Sequence, residues 1–268
     1  METKRNLKYY TAPPISIVAL IGYIIIVIGV IMMFFRWLRM GGILVAILGF
    51  AIAIFASGGK SNDSDIDFQI AERIKNLQEV NEKTHEVYER SFLKQRKPVD
   101  LKGYDFETDQ TPFYFKKGAD GIGRTNYFMA VNLIFTNEKI YLQGRRFSLI
   151  DESIDEEISG SWFYNELTEA VKEDKAYEYK KGDRTLKANY TVFQILKTDG
   201  QPALKMCVDT GADIDTYTDQ ISRVIATRQK ELEKRAEETA QRRAEFRAKI
   251  AAEQEAEAAA AAAEEANQ

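Results

Sequence analysis

Cysteine and histidine are nearly absent: Cys207 and His85 are each the sole residue of their type in 268. A disulfide framework needs pairs, and a zinc site needs several thiolate or imidazole ligands, so neither is built within one chain. Cys207 lies in an apolar alternating stretch and reads as a buried core thiol. His85 lies among polar residues with helical spacing and reads as a solvated side chain. An excess of positive charge is also missing. Lys and Arg number 37 against 41 Asp and Glu, for a net charge of -4, which removes the basic footprint of a nucleic-acid-binding protein. No pattern calls for a cofactor. Gly118, Gly121 and Gly123 do not have the spacing of a dinucleotide fingerprint and read as a flexible turn. The acidic cluster Asn62, Asp63, Ser64, Asp65 and Asp67 fails as a calcium loop: counting from Asp63, Phe68 and Ile74 stand where glycine and a carboxylate are needed. It reads instead as a helix cap.

What the chain does have is apolar content concentrated at one end. Ile15 to Phe35 is free of charge for 21 residues. At about 1.5 Å rise per residue a helix of that length crosses the roughly 30 Å hydrocarbon core of a bilayer, where only internal hydrogen bonding satisfies the backbone. Tyr9 and Tyr10 precede it as expected interfacial aromatics, followed by Pro13 and Pro14 at the helix start. After Arg36, Trp37, Leu38 and Arg39, the stretch Met40 to Ala56 is again uncharged for 17 residues. The expectation is a tight transmembrane hairpin, with helices over 15–35 and 38–56. A cleavable signal peptide is the competing reading, but the apolar run is too long and no small-x-small cleavage site follows it.

Within the second helix Gly42, Ala46, Gly49, Ala53 and Ala56 recur at alternating spacings of four and three. This lines one stripe with small residues, a packing seam for the first helix or for a second protomer. The plainer reading is the ordinary enrichment of small residues in membrane helices. Near the membrane Lys4, Arg5, Lys8, Lys60, Arg73 and Lys75 flank the hairpin, against Arg36 and Arg39 at its tip, which places both termini in the cytoplasm of a multi-pass cell-membrane protein. A lone cysteine agrees with that compartment, and the sequon at Asn189 to Thr191 is then accidental.

Residues 1–14 form the cytoplasmic N-terminal segment and 15–56 the hairpin. Residues 57–97 contain a Gly58, Gly59 and Ser61 hinge and an amphipathic helix from Ile66 to Phe92, whose stripe of Ile70, Ile74, Leu77, Thr84 and Tyr88 packs on the next domain or pairs as a short coiled coil weakened by Asn81. Pro98 closes it. Residues 98–227 then change to a period of two, with turn signals at 118–123, 136–139, 144, 181–183 and 199–200. Strands are expected at Tyr127–Phe135, Lys139–Leu142, Phe147–Ile150, Trp162–Val171, Leu186–Leu196 and Ala203–Val208. A closing helix from Asp213 presents Tyr217, Ile221, Val224, Ile225 and Leu232. Residues 228–268 are a charged, Ala-rich helical or disordered tail that frays through Ala258–Ala263.

The run Leu133, Ile134, Phe135, Thr136, Asn137, Glu138, Lys139, Ile140, Tyr141, Leu142 is similar to a hairpin of bacterial pleckstrin-homology-like (PH and GRAM-like) domains, and Phe163 to Leu167 is similar to their following segment. The resemblance covers roughly 100–228. It implies a membrane-anchored α+β protein with an antiparallel PH-like barrel or sheet capped by a C-terminal helix, serving as a non-enzymatic scaffold whose partners are the lipid bilayer and a protein or a second copy. It carries no catalytic residues. Lys116, Lys117, Arg124, Arg145, Arg146, Lys180, Lys181 and Arg184 lie near turns as a possible headgroup site or as scattered surface charge, and Asp151 to Glu157 reads as an acidic insertion.

Two other readings stand beside it. Asp209, Thr210 and Gly211 resemble the catalytic loop of retropepsin-like aspartic proteases, in which the aspartate shares a proton with a partner. Here a charged helix follows, no second Asp-Thr/Ser-Gly exists, and the string reads as a strand-to-helix turn with Gly211 at positive φ and Asp213 as cap. The other alternative is an accessory subunit of a membrane transport or envelope complex, held through the small-residue seam.

Overall fold

A computed structural model of the chain describes residues 2–12, 17–57, 59–87, 97–181, 184–209 and 213–265. The expectations placed on Pro13, Pro14, Gly58, Tyr88, Phe92, Asp183, Thr210 and Gly211 fall outside them. The fold is α+β, with antiparallel sheets and a long C-terminal helix.

Helix α1 (Glu2–Thr11) precedes the apolar pair α2 (Ile17–Met33) and α3 (Arg39–Ser57). The turn between them is as short as the sequence requires, closed by Leu38 N–H donating to the Phe35 carbonyl at 2.9 Å. Trp37 at the tip is 97% exposed. Helix α4 (Asp63–Arg73) starts at an Asn62 cap, where Asn62 and Asp65 hydrogen-bond each other's backbone reciprocally, so the acidic cluster is a capping box. The expected continuous helix from Ile66 does not form. Asn76 takes φ +67 and breaks it, and α5 (Leu77–Thr84) runs separately. Asparagine tolerates this left-handed conformation because its side chain is short and polar. The break has a packing reason: Asn81, far from weakening a seam, is fully buried and donates to the backbone and side-chain oxygens of Asn132 at 2.9 and 2.8 Å. His85 is half-buried, not solvated, with its ring 4.8 Å from that of Tyr141 and Nε2 at 3.2 Å from the Leu142 carbonyl.

The strands are β1 (Val99–Tyr104), β2 (Phe115–Lys117), β3 (Gly123–Thr125), β4 (Tyr127–Phe135), β5 (Lys139–Ser148), β6 (Asp155–Phe163), β7 (Leu167–Lys181), β8 (Arg184–Lys197) and β9 (Pro202–Val208), followed by α6 (Ile214–Glu265). One sheet has the order β1-β4-β5-β6 and a second β7-β8-β9, with β2-β3 as a separate hairpin. The described residues form no closed barrel. The two larger sheets approach at a corner, where the Asp209 N–H donates to the Lys102 carbonyl at 3.0 Å. Of the acidic stretch Asp151 to Glu157, residues 151–154 form a turn, and Asp155, Glu156 and Glu157 open β6 opposite Phe147, Arg146 and Arg145.

Strand β4 is buried at every position, which explains its continuous apolar run. Met129, Val131, Leu133 and Phe135 face a core shared with Phe193, Ile195, Leu204 and Met206 of the second sheet and with Ile221 and Ile225 of α6. Phe128 and Ala130 face the other way, into a second core with Ile66 and Ile70 of α4 and Tyr9 and Tyr10 of α1. Each Val, Leu, Ile, Met or Phe among them stabilises the fold by about 1.5–3 kcal/mol when fully withdrawn from water. Asp213 caps α6 through the Thr216 N–H, and Gln229 donates to the Tyr164 and Leu167 carbonyls at the irregular start of β7. From Glu233 to Gln254 every residue of α6 is exposed, and the helix continues through the alanine run where fraying was expected.

Candidate functional site

The small residues of α3 pack within the chain. A Cβ added to Gly49 would lie 2.8 Å from the Gly22 carbonyl, and one on Gly42 would lie 2.6 Å from that of Gly29. From the other side, a Cβ on Gly29 would meet the Ala46 nitrogen at 2.5 Å, and one on Gly22 the Ala53 nitrogen at 2.7 Å. The seam of Gly42, Ala46, Gly49 and Ala53 therefore faces α2, with Ala56 half-buried at its end. Gly22 and Gly29, seven residues apart, are the complementary positions in α2. Their spacing was visible in the sequence beside the seam of α3. The outward surfaces are apolar: Ile17, Val27, Phe34, Met40, Leu44 and Phe55 are among the large side chains more than half exposed. Arg39–Ala56 is long and apolar enough to cross a membrane, with mean hydropathy 2.2, while Ile17–Met33 is a shorter apolar helix.

The flanks of this hairpin are where the structure departs most from expectation. Tyr9 and Tyr10 are not interfacial aromatics but core residues, 1% and 9% exposed. Helix α1 lays one face on the β domain because Asn6, Tyr9 and Tyr10 fall three or four residues apart on one side. The Tyr10 hydroxyl donates to the Thr125 carbonyl at 2.6 Å, and the Asn6 amide donates to the Leu149 carbonyl at 2.7 Å. Ser61, just past the hairpin, donates its hydroxyl to Asn6 at 2.6 Å.

Arg124 is the electrostatic centre of this junction. It is 1% exposed and donates to both oxygens of Asp67, at 3.3 and 2.9 Å, and to both oxygens of Asp120, at 2.9 and 2.7 Å. Burial disfavours its charge, but the two carboxylates outweigh this and hold the guanidinium firmly protonated. The hydrogen bond from Arg124 lowers the Asp120 carboxyl to about 2. Tyr104 donates to Asp67 at 3.1 Å, and Asp63 accepts from the Ala119 N–H at 2.8 Å. Burial pushes the Tyr9 phenol up, and its hydrogen bond to Asp63 pushes it further. Burial of Asp63 acts to raise its own pKa, but the bonds from Tyr9 and Ala119 prevail and leave it below the usual range.

Beside this network a cleft of about 580 Å³ opens between α4, β1 and the start of α6, lined by Asp67, Ile70, Lys102, Tyr104, Asp209 and Tyr217 among others. Asp209 stands at the end of β9, as the sequence placed it. Burial raises its carboxyl and the charge of Asp67 adds to the effect, while Lys102 opposes it. Thr210 and Gly211 of the protease-like string lie outside the described residues. A carboxyl of this kind can hold a proton, and among the described residues the cleft lining has no serine, cysteine or histidine.

Of the basic residues picked out as a headgroup set, three arginines are held in separate ion pairs. Arg124 is buried, Arg145 grips both oxygens of Asp155 at 2.6 and 2.7 Å, and Arg146 pairs with Asp105 at 3.1 Å. Lys116 lies at the hairpin foot with Arg124, its Nζ 2.9 Å from the Tyr9 carbonyl and 3.6 Å from the centre of its ring. Cys207 is 3% exposed, and burial pushes its thiol up to about 11, which makes it inert. Among the described residues no group of His, Cys, Asp and Glu is arranged to hold a metal. No protein-family model, curated protein or solved structure matches the chain.

Proposed function

We propose that this chain is a membrane-tethered interaction protein, in which α2 and α3 cross the cell membrane as a hairpin and hold a non-enzymatic PH-like domain at the cytoplasmic face. The observation that carries the reading is the pairing of an apolar outer surface on α2 and α3 with an inner seam of Gly22, Gly29, Gly42 and Gly49. In water such a surface is a liability, whereas in lipid it is solvated and close backbone packing holds the helices together. Both flanks of the hairpin dock on the β domain through Asn6, Ser61 and Tyr10, which favours a topology with the domain and both hairpin ends on one side of the bilayer. The excess of Lys and Arg at that side favours the cytoplasm.

Two features support the PH-like assignment. Four antiparallel strands (β1, β4, β5, β6) precede three (β7, β8, β9) and then a helix packed into the core between them, with β2-β3 as an added hairpin. The two segments that carry the resemblance also meet: the Tyr164 hydroxyl donates to the Thr136 carbonyl at 2.8 Å. Membrane integration is tested by carbonate washing of native membranes, which should leave the protein in the pellet; release into the supernatant would overturn the reading. Digestion of the α6 tail by protease added to sealed spheroplasts would reverse the orientation. Crosslinking of the intact protein in its own membrane identifies the partner.

The aspartic-protease alternative has one observation in its favour, the raised Asp209 carboxyl beside Asp67 in a cleft. It requires pepstatin-sensitive peptide cleavage that is lost in Asp209→Asn. Equal behaviour of wild type and variant removes it.

A further inference from the structure

The cleft between α4, β1 and the start of α6 combines apolar walls with a carboxyl that has no partner among the described residues. Ile70 and Ile74 of α4, Phe128 of β4 and Val208 of β9 form part of the wall. Most of the polar groups in the lining are committed elsewhere. Arg124 is held by Asp67 and Asp120, the Tyr104 hydroxyl donates to Asp67, and Asp100 accepts from the Asn132 amide at 2.7 Å. Asp209 is different. Its N–H is fixed on the Lys102 carbonyl, but among the described residues its carboxyl takes part in no hydrogen bond or ion pair.

The charges that act on this carboxyl place it inside the cleft, since Lys102, Asp67 and Arg124 all belong to the same lining. Lys102 and Arg124 favour its ionised form, yet burial and Asp67 outweigh them. A carboxylate withdrawn from water without a hydrogen-bonding partner is costly, and a cationic donor brought to it would relieve that cost. The lining as a whole carries Asp67, Asp100 and Asp209 against Lys102 and Arg124, and Arg124 is shared with Asp120. It therefore favours a cation over an anion. Among the described residues no acidic group is arranged to hold a metal, and the walls call for an apolar body. A volume of about 580 Å³ is that of a small-molecule site.

We infer that this cleft binds a small organic cation, an ammonium or amidinium group on a compact apolar body, with Asp209 as its counter-ion and Ile70, Ile74 and Phe128 against the body. The inference goes beyond a scaffold role and does not depend on whether α2 and α3 cross a membrane. It involves no bond made or broken, which separates it from the protease reading of the same aspartate.

Benzylamine is the probe, titrated into the purified full chain and followed by saturation-transfer NMR. Benzyl alcohol offers the same body without the charge, and benzoate the opposite charge. Benzylamine should bind about tenfold more tightly than benzyl alcohol, and benzoate more weakly than either. Asp209→Asn should erase the advantage of the amine over the alcohol. Ala71→Trp, at an exposed lining position of α4, should fill the cleft and block binding of the amine. Absence of saturable benzylamine binding to the wild type overturns the inference, and so does equal affinity for the amine and the alcohol. A preference for the amine that survives Asp209→Asn, or amine binding that survives Ala71→Trp, also overturns it. Nα-acetyl-lysine amide tests the other source of an ammonium, a lysine of a protein partner. Binding about tenfold weaker than that of benzylamine supports the small-molecule site, and equal binding overturns it.

Discussion

The phenol of Tyr9 donates to the carboxylate of Asp63 at 2.6 Å, joining the segment that enters the apolar hairpin to the segment that leaves it 54 residues later. With Asn6, Ser61 and Arg124 this bond makes the hairpin foot part of the β domain and not a flexible tether.

Removing the central cation should loosen that junction. Arg124→Met leaves Asp67 and Asp120 close together without their counter-charge. Breaking a buried pair costs about 3–5 kcal/mol, and because both carboxylates are partly exposed the expectation here is about 2 kcal/mol. Urea unfolding of the purified protein measures it. A change within experimental error would mean that the network is not what holds α4.

Acid should act through the same groups. Asp120 and Asp63 have lowered folded-state values, against about 3.9 in an unfolded chain. Their contribution is present above the unfolded value and is lost as pH falls through the folded one, a window from about 4 down to about 2. Asp209 has the opposite sign, since burial raises its folded value. Its carboxyl therefore stabilises the fold below the unfolded value, and the benefit is lost as pH rises through the folded one. Asp209→Asn is expected to melt higher than wild type at neutral pH, with the difference vanishing in acid, while Asp120→Asn should flatten the acid limb. Melting curves across the pH range decide both.

The seam of the hairpin should fail by collision. Gly29→Leu places a side chain where even a Cβ is 2.5 Å from the Ala46 nitrogen, and Gly49→Leu places one against the Ile26 nitrogen at 2.7 Å. Backbone cannot yield there without separating the helices, at a cost of about 2 kcal/mol. Each variant should lower the melting temperature of the purified protein with no partner present. An effect confined to co-purification of other proteins would instead turn the seam toward a partner.

At the corner of the two larger sheets, Gly103→Ala is expected to cost about 2 kcal/mol, again measured by urea unfolding. Its Cβ would lie 2.6 Å from the Cys207 carbonyl and 2.8 Å from the Val208 Cα, so β1 and β9 must part. Loss of near-ultraviolet circular dichroism with little loss of strand signal would accompany it.

Local and periodic features were fixed by the chain itself. The apolar helices, the Asn62 cap, the turns at Thr136–Lys139 and Gly200, strand β4 to the residue, and the start of α6 at Asp213 all follow from spacing, propensity or capping chemistry, which act over a few neighbours. Tertiary structure decided the rest, because it depends on pairs far apart in sequence. Tyr9 and Tyr10 have the composition of interfacial aromatics, and only the surfaces of Phe128 and Ile66 make them core. Asn81 looks like a flaw in a helical stripe until Asn132, 51 residues away, supplies its partner. Asp155 to Glu157 read only as part of an acidic stretch until Arg145 and Arg146 stand opposite them. Arg124 looks like one cation near a turn until Asp67, 57 residues away, stands beside Asp120 at its guanidinium, and charge acts through distance in space, which a pattern along the chain does not contain.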